Sequence, residues 1–103
     1  VITILRTHVF DDWLAGLRDR QARARIQDRL ALGNPGDVRP VGQGVSELRI
    51  DHGPGYRVYL AQRGPVLVLL LCGGDKSSQP ADIRRAIAMA ASLPADLGSD
   101  PDA

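Results

Sequence analysis

Lysine is all but missing from this chain. Of 13 basic residues among 103, Lys76 is the only lysine and the other twelve are arginine. Arg grips phosphate and carboxylate bidentately, whereas Lys acts as a point charge. The bias therefore suits planar anion recognition, and a GC-rich genome accounts for it equally well. Cysteine is as scarce. The single Cys72 excludes an intramolecular disulfide, and its place in an apolar strand suits a small buried hydrophobe in the cytoplasm. His8 and His52 lie far apart, so no Cys/His spacing points to a metal. No Ser nucleophile elbow, dinucleotide fingerprint or Walker loop appears, and no cofactor is expected. The apolar run 66–72 is too short to span a membrane. No basic segment leads into an apolar one as an export signal would.

The net charge of +1 hides an asymmetry. Residues 94–103 carry three Asp and no base, so the rest of the chain holds 13 basic against 9 acidic residues, a net +4. The tail is rich in Pro, Gly, Ser and Asp, which cannot bury enough to order it. One domain is expected over residues 1–93, followed by this acidic, disordered tail.

Along the body, the β-branched start Val1–Arg6 reads as a strand. Thr7 can cap a helix in which Phe10, Trp13, Leu14 and Leu17 share one face, with Trp13 in the core. Asp19 can cap a second helix to about Leu32, with Ala22, Ile26 and Leu30 as its apolar stripe. Arg18, Arg25 and Arg29 flank that stripe, either as a solvated face or as a surface for a nucleic-acid backbone. The run Gly33-Asn34-Pro35-Gly36-Asp37 stops the helix, and a loop continues through Pro40 and Gly42 to Gly44. Strands are expected at about 45–51, 55–62 and 66–72, the last central and covered on both faces. Pro80 opens a final helix whose stripe is Ile83, Ala86, Ile87 and Ala90, and Pro94 ends it. The order β-α-α-β-β-β-α is an α+β domain with one mostly antiparallel sheet packed against helices.

The hairpin around His52-Gly53-Pro54 carries the chemistry. If Leu48, Ile50, Val58 and Leu60 face a core, then Glu47, Arg49, Arg57 and Tyr59 share the other, solvent-facing side. A three-residue loop sets Arg49 opposite Arg57 and Glu47 opposite Tyr59. Like charges so placed repel, unless a bound anion neutralises them. A two-residue shift of either strand would instead pair Arg57 with Glu47 or with Asp51 as ordinary salt bridges. After the central strand, Gly73-Gly74-Asp75-Lys76-Ser77-Ser78 reads either as a capped loop or as a place where a ligand nears the backbone. His52 reads as a solvated turn residue, and no His–carboxylate pair is evident.

The run Val45–Tyr59, the run Leu70–Gln79 and the upstream Trp13-Leu14-Ala15-Gly16-Leu17-Arg18-Asp19 together resemble the addiction-module killer proteins. These are the HigB-like branch of the RelE/ParE toxin superfamily. The resemblance covers about residues 3–92. The second helix reaches Gly33 about one turn sooner than is usual for the group. The resemblance implies a RelE-like fold and a bacterial type II toxin acting in the cytoplasm. It also implies a cognate antitoxin, helix-turn-helix and HigA-like, through which operator DNA is bound indirectly. For the RNA-cleaving branch it implies metal-independent, ribosome-dependent cutting of mRNA and inhibition of translation. Arg57 then matches the transition-state cation, Arg49 a second phosphate contact, and Lys76 with Asp75 the acid–base position. Tyr59, Arg18, Arg25 and Arg29 would bind RNA, with Tyr56 in the core. The alternatives are a gyrase-poisoning toxin that cleaves nothing and a degenerate toxin that only binds its antitoxin.

Overall fold

Thr7 begins the fold's organisation. Its side chain accepts a hydrogen bond from the Phe10 amide at 3.1 Å and donates to the Leu71 carbonyl at 2.6 Å. The same oxygen thus caps a helix and ties it to a strand. The computed structural model describes residues 3–31, 38–64 and 67–93. In chain order it contains β1 (Thr3–Arg6), α1 (His8–Gly16), α2 (Arg20–Ala31), β2 (Val38–Gly42), β3 (Val45–Ile50), β4 (Tyr56–Arg63) and β5 (Leu67–Gly74). A short 3-10 turn (Lys76–Ser78) then leads into α3 (Gln79–Ser92). The expected residues at 1–2, 32–37, 65–66 and the tail 94–103 lie outside the described residues.

The five strands form one mixed sheet in the order β1-β5-β4-β3-β2. Only β1–β5 is parallel; the other three pairings are antiparallel. This is an α+β domain with three helices packed on one sheet. β5 is buried along its whole length, as its unbroken apolar run implies.

One strand was not expected. Residues 38–42 read as loop because Pro40 and Gly42 are turn residues. They form β2 at the sheet edge, where Pro is tolerated because its missing N–H can face outward. The pairing slips between Pro40 and Gly42.

Both faces of the sheet are covered. Leu48, Ile50, Val58, Leu60, Val68 and Leu70 meet Phe10 and Leu14 of α1 and Ile26 of α2. Val45, Tyr59, Ala61, Leu69 and Leu71 meet Ala86 and Ala90 of α3, with Ile83 and Ile87 half-buried beside them. The helical stripes read from the sequence are the faces that pack. The face bearing Glu47, Arg57 and Tyr59 was expected to be open to solvent. α3 and its leading turn cover it instead, and all three residues are buried.

Candidate functional site

The β3–β4 hairpin builds the site. Its turn holds Gly53 and Gly55 at positive φ (57° and 80°), a backbone shape that glycine adopts without strain. The register that follows sets Arg49 against Arg57 and Glu47 against Tyr59, as the three-residue loop implies. The salt bridge offered as the rival to this register also exists. It runs diagonally, Arg57 Nε to Glu47 Oε2 at 3.5 Å, without any shift of the strands.

Glu47, the chain's only glutamate, is the hub. Its side chain is 0% exposed. Three donors reach it: Gln79 Nε2 at 2.9 Å, the Tyr59 hydroxyl at 3.1 Å and Arg49 Nε at 3.2 Å. Burial alone would raise its pKa. The hydrogen bonds from Gln79, Arg49 and Tyr59 and the charge of Arg57 outweigh that and hold it below the usual carboxylate range. Tyr59 moves the other way, pushed up by burial and then by the Glu47 charge, so its hydroxyl stays a donor.

Arg57 is the buried cation of the group. Its side chain is 9% exposed. One terminal nitrogen donates to the Gly55 carbonyl at 2.9 Å. Its buried Nε has no hydrogen-bond partner among the described residues. Arg49 is 49% exposed and stands at the mouth. Around them opens a cleft of about 570 Å³ lined by Arg29, Val38, Arg39, Arg49, Ile50, Asp51, Gly55, Tyr56 and Arg57. Among the described residues of the lining, four arginines from α2, β2, β3 and β4 thus stand with one carboxylate, Asp51. Such a wall attracts a phosphate or another oxyanion.

The expected site residues divide. Arg57, Arg49 and Arg29 line the cleft. Arg25 is exposed and lines a shallower neighbour with Asp28, Arg29, Ile50 and Asp51. Arg18 is exposed on the connector between α1 and α2, outside the cleft lining. Lys76 is exposed, with its Cβ 3.8 Å from where a Cβ on Gly55 would stand, so it borders the hairpin turn. Asp75 follows Gly74, the partner of Arg57 across the sheet. It caps the 3-10 turn, accepting from the Ser77 amide at 2.8 Å and from the Ser77 hydroxyl. Those bonds hold its carboxyl below the ordinary range, which makes it a weak base. Of the two readings of its loop, the capped one is the geometry found. The space beside Gly73 and Gly74 is filled by the chain itself. A Cβ on Gly73 would stand 2.3 Å from the Trp13 ring, and one on Gly74 would strike the Asp82 carboxylate.

Of the two tyrosines, Tyr59 is not where it was expected, while Tyr56 packs against the core cluster as expected and also reaches the cleft. Tyr59 is fully buried and spends its hydroxyl on Glu47, so its ring offers no face for stacking. Tyr56 is half-buried, packs edge-on to Trp13 and lines the cleft. The absence of a His–carboxylate pair is also corrected. His52 Nε2 lies 3.0 Å from Asp19 Oδ2, tying the hairpin turn to the start of α2. Neither residue lines the cleft. Arg39 and Gln79 were missed: Arg39 sat in a presumed loop, and nothing in the sequence pairs Gln79 with Glu47.

Other chemistries find little support. Burial first, and then the Asp82 charge, pushes the Cys72 thiol up to about 11, so it is a packing group and not a nucleophile. Among the described residues no group of three or more His, Cys, Asp or Glu is gathered to hold a metal ion. Among them, too, no helix is long and apolar enough to cross a membrane.

No family model matches the chain. An uncharacterized protein of Haemophilus influenzae is 50% identical over 95 residues, covering 89% of this chain and 96% of that one. The chain belongs to the same family as that protein. The relative's name states no activity, so this kinship assigns no role to the arginines of the cleft.

Proposed function

We propose that this protein is the toxin of a bacterial type II toxin–antitoxin system, and that it is a ribosome-dependent mRNA endonuclease of the RelE-like, HigB-like kind. The observation that carries the reading is the convergence of Arg29, Arg39, Arg49 and Arg57 on one open cleft. The motifs resembling the killer proteins supply the reaction. The ribose 2′-OH attacks the adjacent phosphorus, its proton leaves, the P–O5′ bond breaks, and the 5′ oxygen takes up a proton. A 2′,3′-cyclic phosphate and a 5′-OH remain. Arg57 neutralises the pentavalent phosphate and Arg49 holds a non-bridging oxygen. Lys76, beside the hairpin turn, and its neighbour Asp75 are the acid–base candidates, although neither is in the cleft lining. Tyr56, in place of Tyr59, is the aromatic wall for a base.

The cleft offers no strong general base, so much of the barrier must be lowered by holding the 2′-OH in line with the phosphate. Orientation of this kind contributes up to several kcal/mol, and mRNA bent in the ribosome is already positioned. The antitoxin, a helix-turn-helix HigA-like partner, covers the Arg-rich surface with acidic groups and carries the pair to operator DNA. The site of action is the cytoplasm.

The test is induction in a bacterium, with mapping of mRNA 5′ ends. Growth arrest relieved by the adjacent gene, with cuts phased to codons on translating ribosomes and little turnover of free RNA, is the expected result. Normal growth under confirmed expression refutes the toxin reading. One observation favours a second reading, a gyrase-poisoning or purely antitoxin-binding protein: the cleft lining contains no His, and His52–Asp19 lies outside it. Double-strand DNA breaks without mRNA cuts would establish gyrase poisoning.

A further inference from the structure

Glu47 stands beneath an anion-binding cleft, where a carboxylate is electrostatically the wrong charge. A buried negative charge near a phosphate weakens its binding unless the carboxylate does something else. Its contacts show what that is. Arg49 and Arg57 are directly opposed across β3 and β4 and repel each other. Glu47 touches both, by a 3.2 Å hydrogen bond to Arg49 Nε and a 3.5 Å ion pair with Arg57 Nε. It is itself fixed from two other elements, by the Tyr59 hydroxyl on β4 and by Gln79 at the start of α3. Arg57 is further held by the Gly55 carbonyl.

The arrangement positions the cations without closing a tight ion pair on Arg57. Arg57 Nε sits 3.5 Å from the carboxylate, too far for a good hydrogen bond, and it has no other partner among the described residues. A fully satisfied ion pair would compete with an incoming oxyanion. This one keeps the guanidinium in place; the Nε is buried, so an oxyanion in the cleft meets the part of Arg57 that lines it together with half-exposed Arg49.

We infer that Glu47, locked by Tyr59 and Gln79, is a positioning residue that holds Arg49 and Arg57 side by side as a two-pronged receptor for one phosphodiester group. The inference rests on the anion-binding reading of the cleft. It adds that α3 controls the receptor through Gln79, although α3 contributes no residue to the cleft lining.

The sign of one substitution separates positioning from bulk charge. Glu47→Gln removes a negative charge below the cleft, so charge alone predicts tighter anion binding. Positioning predicts weaker binding, because the attraction that holds two repelling guanidiniums together is gone. The probe is a short 2′-O-methyl oligoribonucleotide, which cannot be cleaved, titrated into the purified full chain by fluorescence anisotropy. Folding is checked by circular dichroism. The expected result is a loss of affinity of about tenfold, the scale of one hydrogen bond to a charged group. Equal or tighter binding by folded Glu47→Gln overturns the inference and leaves the anion cleft standing. No binding by the wild-type chain, at low salt, overturns the cleft reading and this inference with it.

Should Glu47→Gln fail to fold, Tyr59→Phe and Gln79→Met decide the matter. Both keep the charge count and release the carboxylate. A loss of about fivefold for each is expected, and unchanged affinity in both refutes the positioning role. A merely structural role would lower their melting temperatures without moving the affinity of the folded protein.

Discussion

Glu47 and Leu48 are neighbours on β3 and both are fully buried, yet they lie on opposite faces of the sheet and do different work. Leu48 joins an all-apolar cluster with α1 and α2. Glu47 looks toward α3, into a cluster whose inner end is apolar and whose outer end holds a carboxylate, a phenol and a guanidinium. Burying ions costs several kcal/mol in desolvation, and an apolar replacement of similar volume is often as stable. The Leu48 face shows that this chain can hold its sheet with hydrocarbon alone. A polar cluster on the other face, open at one end to a cleft of arginines, is better explained by what it positions than by what it stabilises.

The comparison breaks most visibly on the apolar side. Leu48→Ala should cost about 3 kcal/mol of stability, through lost transfer energy and a residual cavity, read by urea denaturation. The affinity of the remaining folded protein for the oligonucleotide should not change. If it falls with stability, the two faces are one cooperative unit and the contrast fails.

Arg57→Ala should reverse the pattern. Cleavage on ribosomes should drop about a hundredfold, the typical cost of losing one transition-state cation. Stability should fall less than in Leu48→Ala, because Glu47 keeps its donors from Tyr59, Gln79 and Arg49. Arg49→Ala, at the half-exposed mouth, should lose about tenfold in rate and little in stability. Full activity in folded Arg57→Ala would remove it from the proposed reaction.

Much of this contrast was legible from the residues, and its limits have physical causes. Period-two alternation separated Leu48, Ile50, Val58 and Leu60 from Glu47, Arg49, Arg57 and Tyr59, and the short turn set the register between them. Alternation says which side chains share a face; it does not say what covers that face. α3 joins through contacts distant in sequence, such as Gln79 to Glu47, so Tyr59 was placed on an open face. β2 was hidden because Pro40 and Gly42 carry turn chemistry while serving as an edge strand. Gly73 and Gly74 left a capped loop and room for a ligand both open; the cap is what forms, and the room belongs to Trp13 and Asp82. The Asp19–His52 pair spans two turns that no local pattern connects.

Acid should separate the faces next. Glu47 is held below its ordinary range in the folded protein, so the unfolded chain takes up this proton more readily. Its contribution is present above the unfolded value, about pH 4.3, and is lost as pH falls through the lower folded value. The stability gap between wild type and Glu47→Gln should therefore shrink between neutral pH and about pH 3. Asp19 and Asp75 are lowered as well, so an acid limb persists in the variant. Parallel stability curves would mean that Glu47 is not ionised in the fold.

The smallest effect compares a buried carboxylate with an exposed one. Asp19, like Glu47, binds several donors: the amides of Gln21 and Ala22 at 3.0 and 3.1 Å, and His52 at 3.0 Å. Its side chain is 37% exposed, however, against 0% for Glu47. Water competes for every contact it makes, and salt screens its charge. Asp19→Ala should lower the melting temperature through the lost helix cap. His52→Ala should lower it by only about a degree or two, and high salt should erase that difference. The effect of Glu47→Gln should survive the same salt, because no ions reach a fully buried carboxylate. If His52→Ala proves as costly as Glu47→Gln, then burial is not what sets these two polar clusters apart, and the hairpin turn is anchored as firmly from the α2 side as from the α3 side.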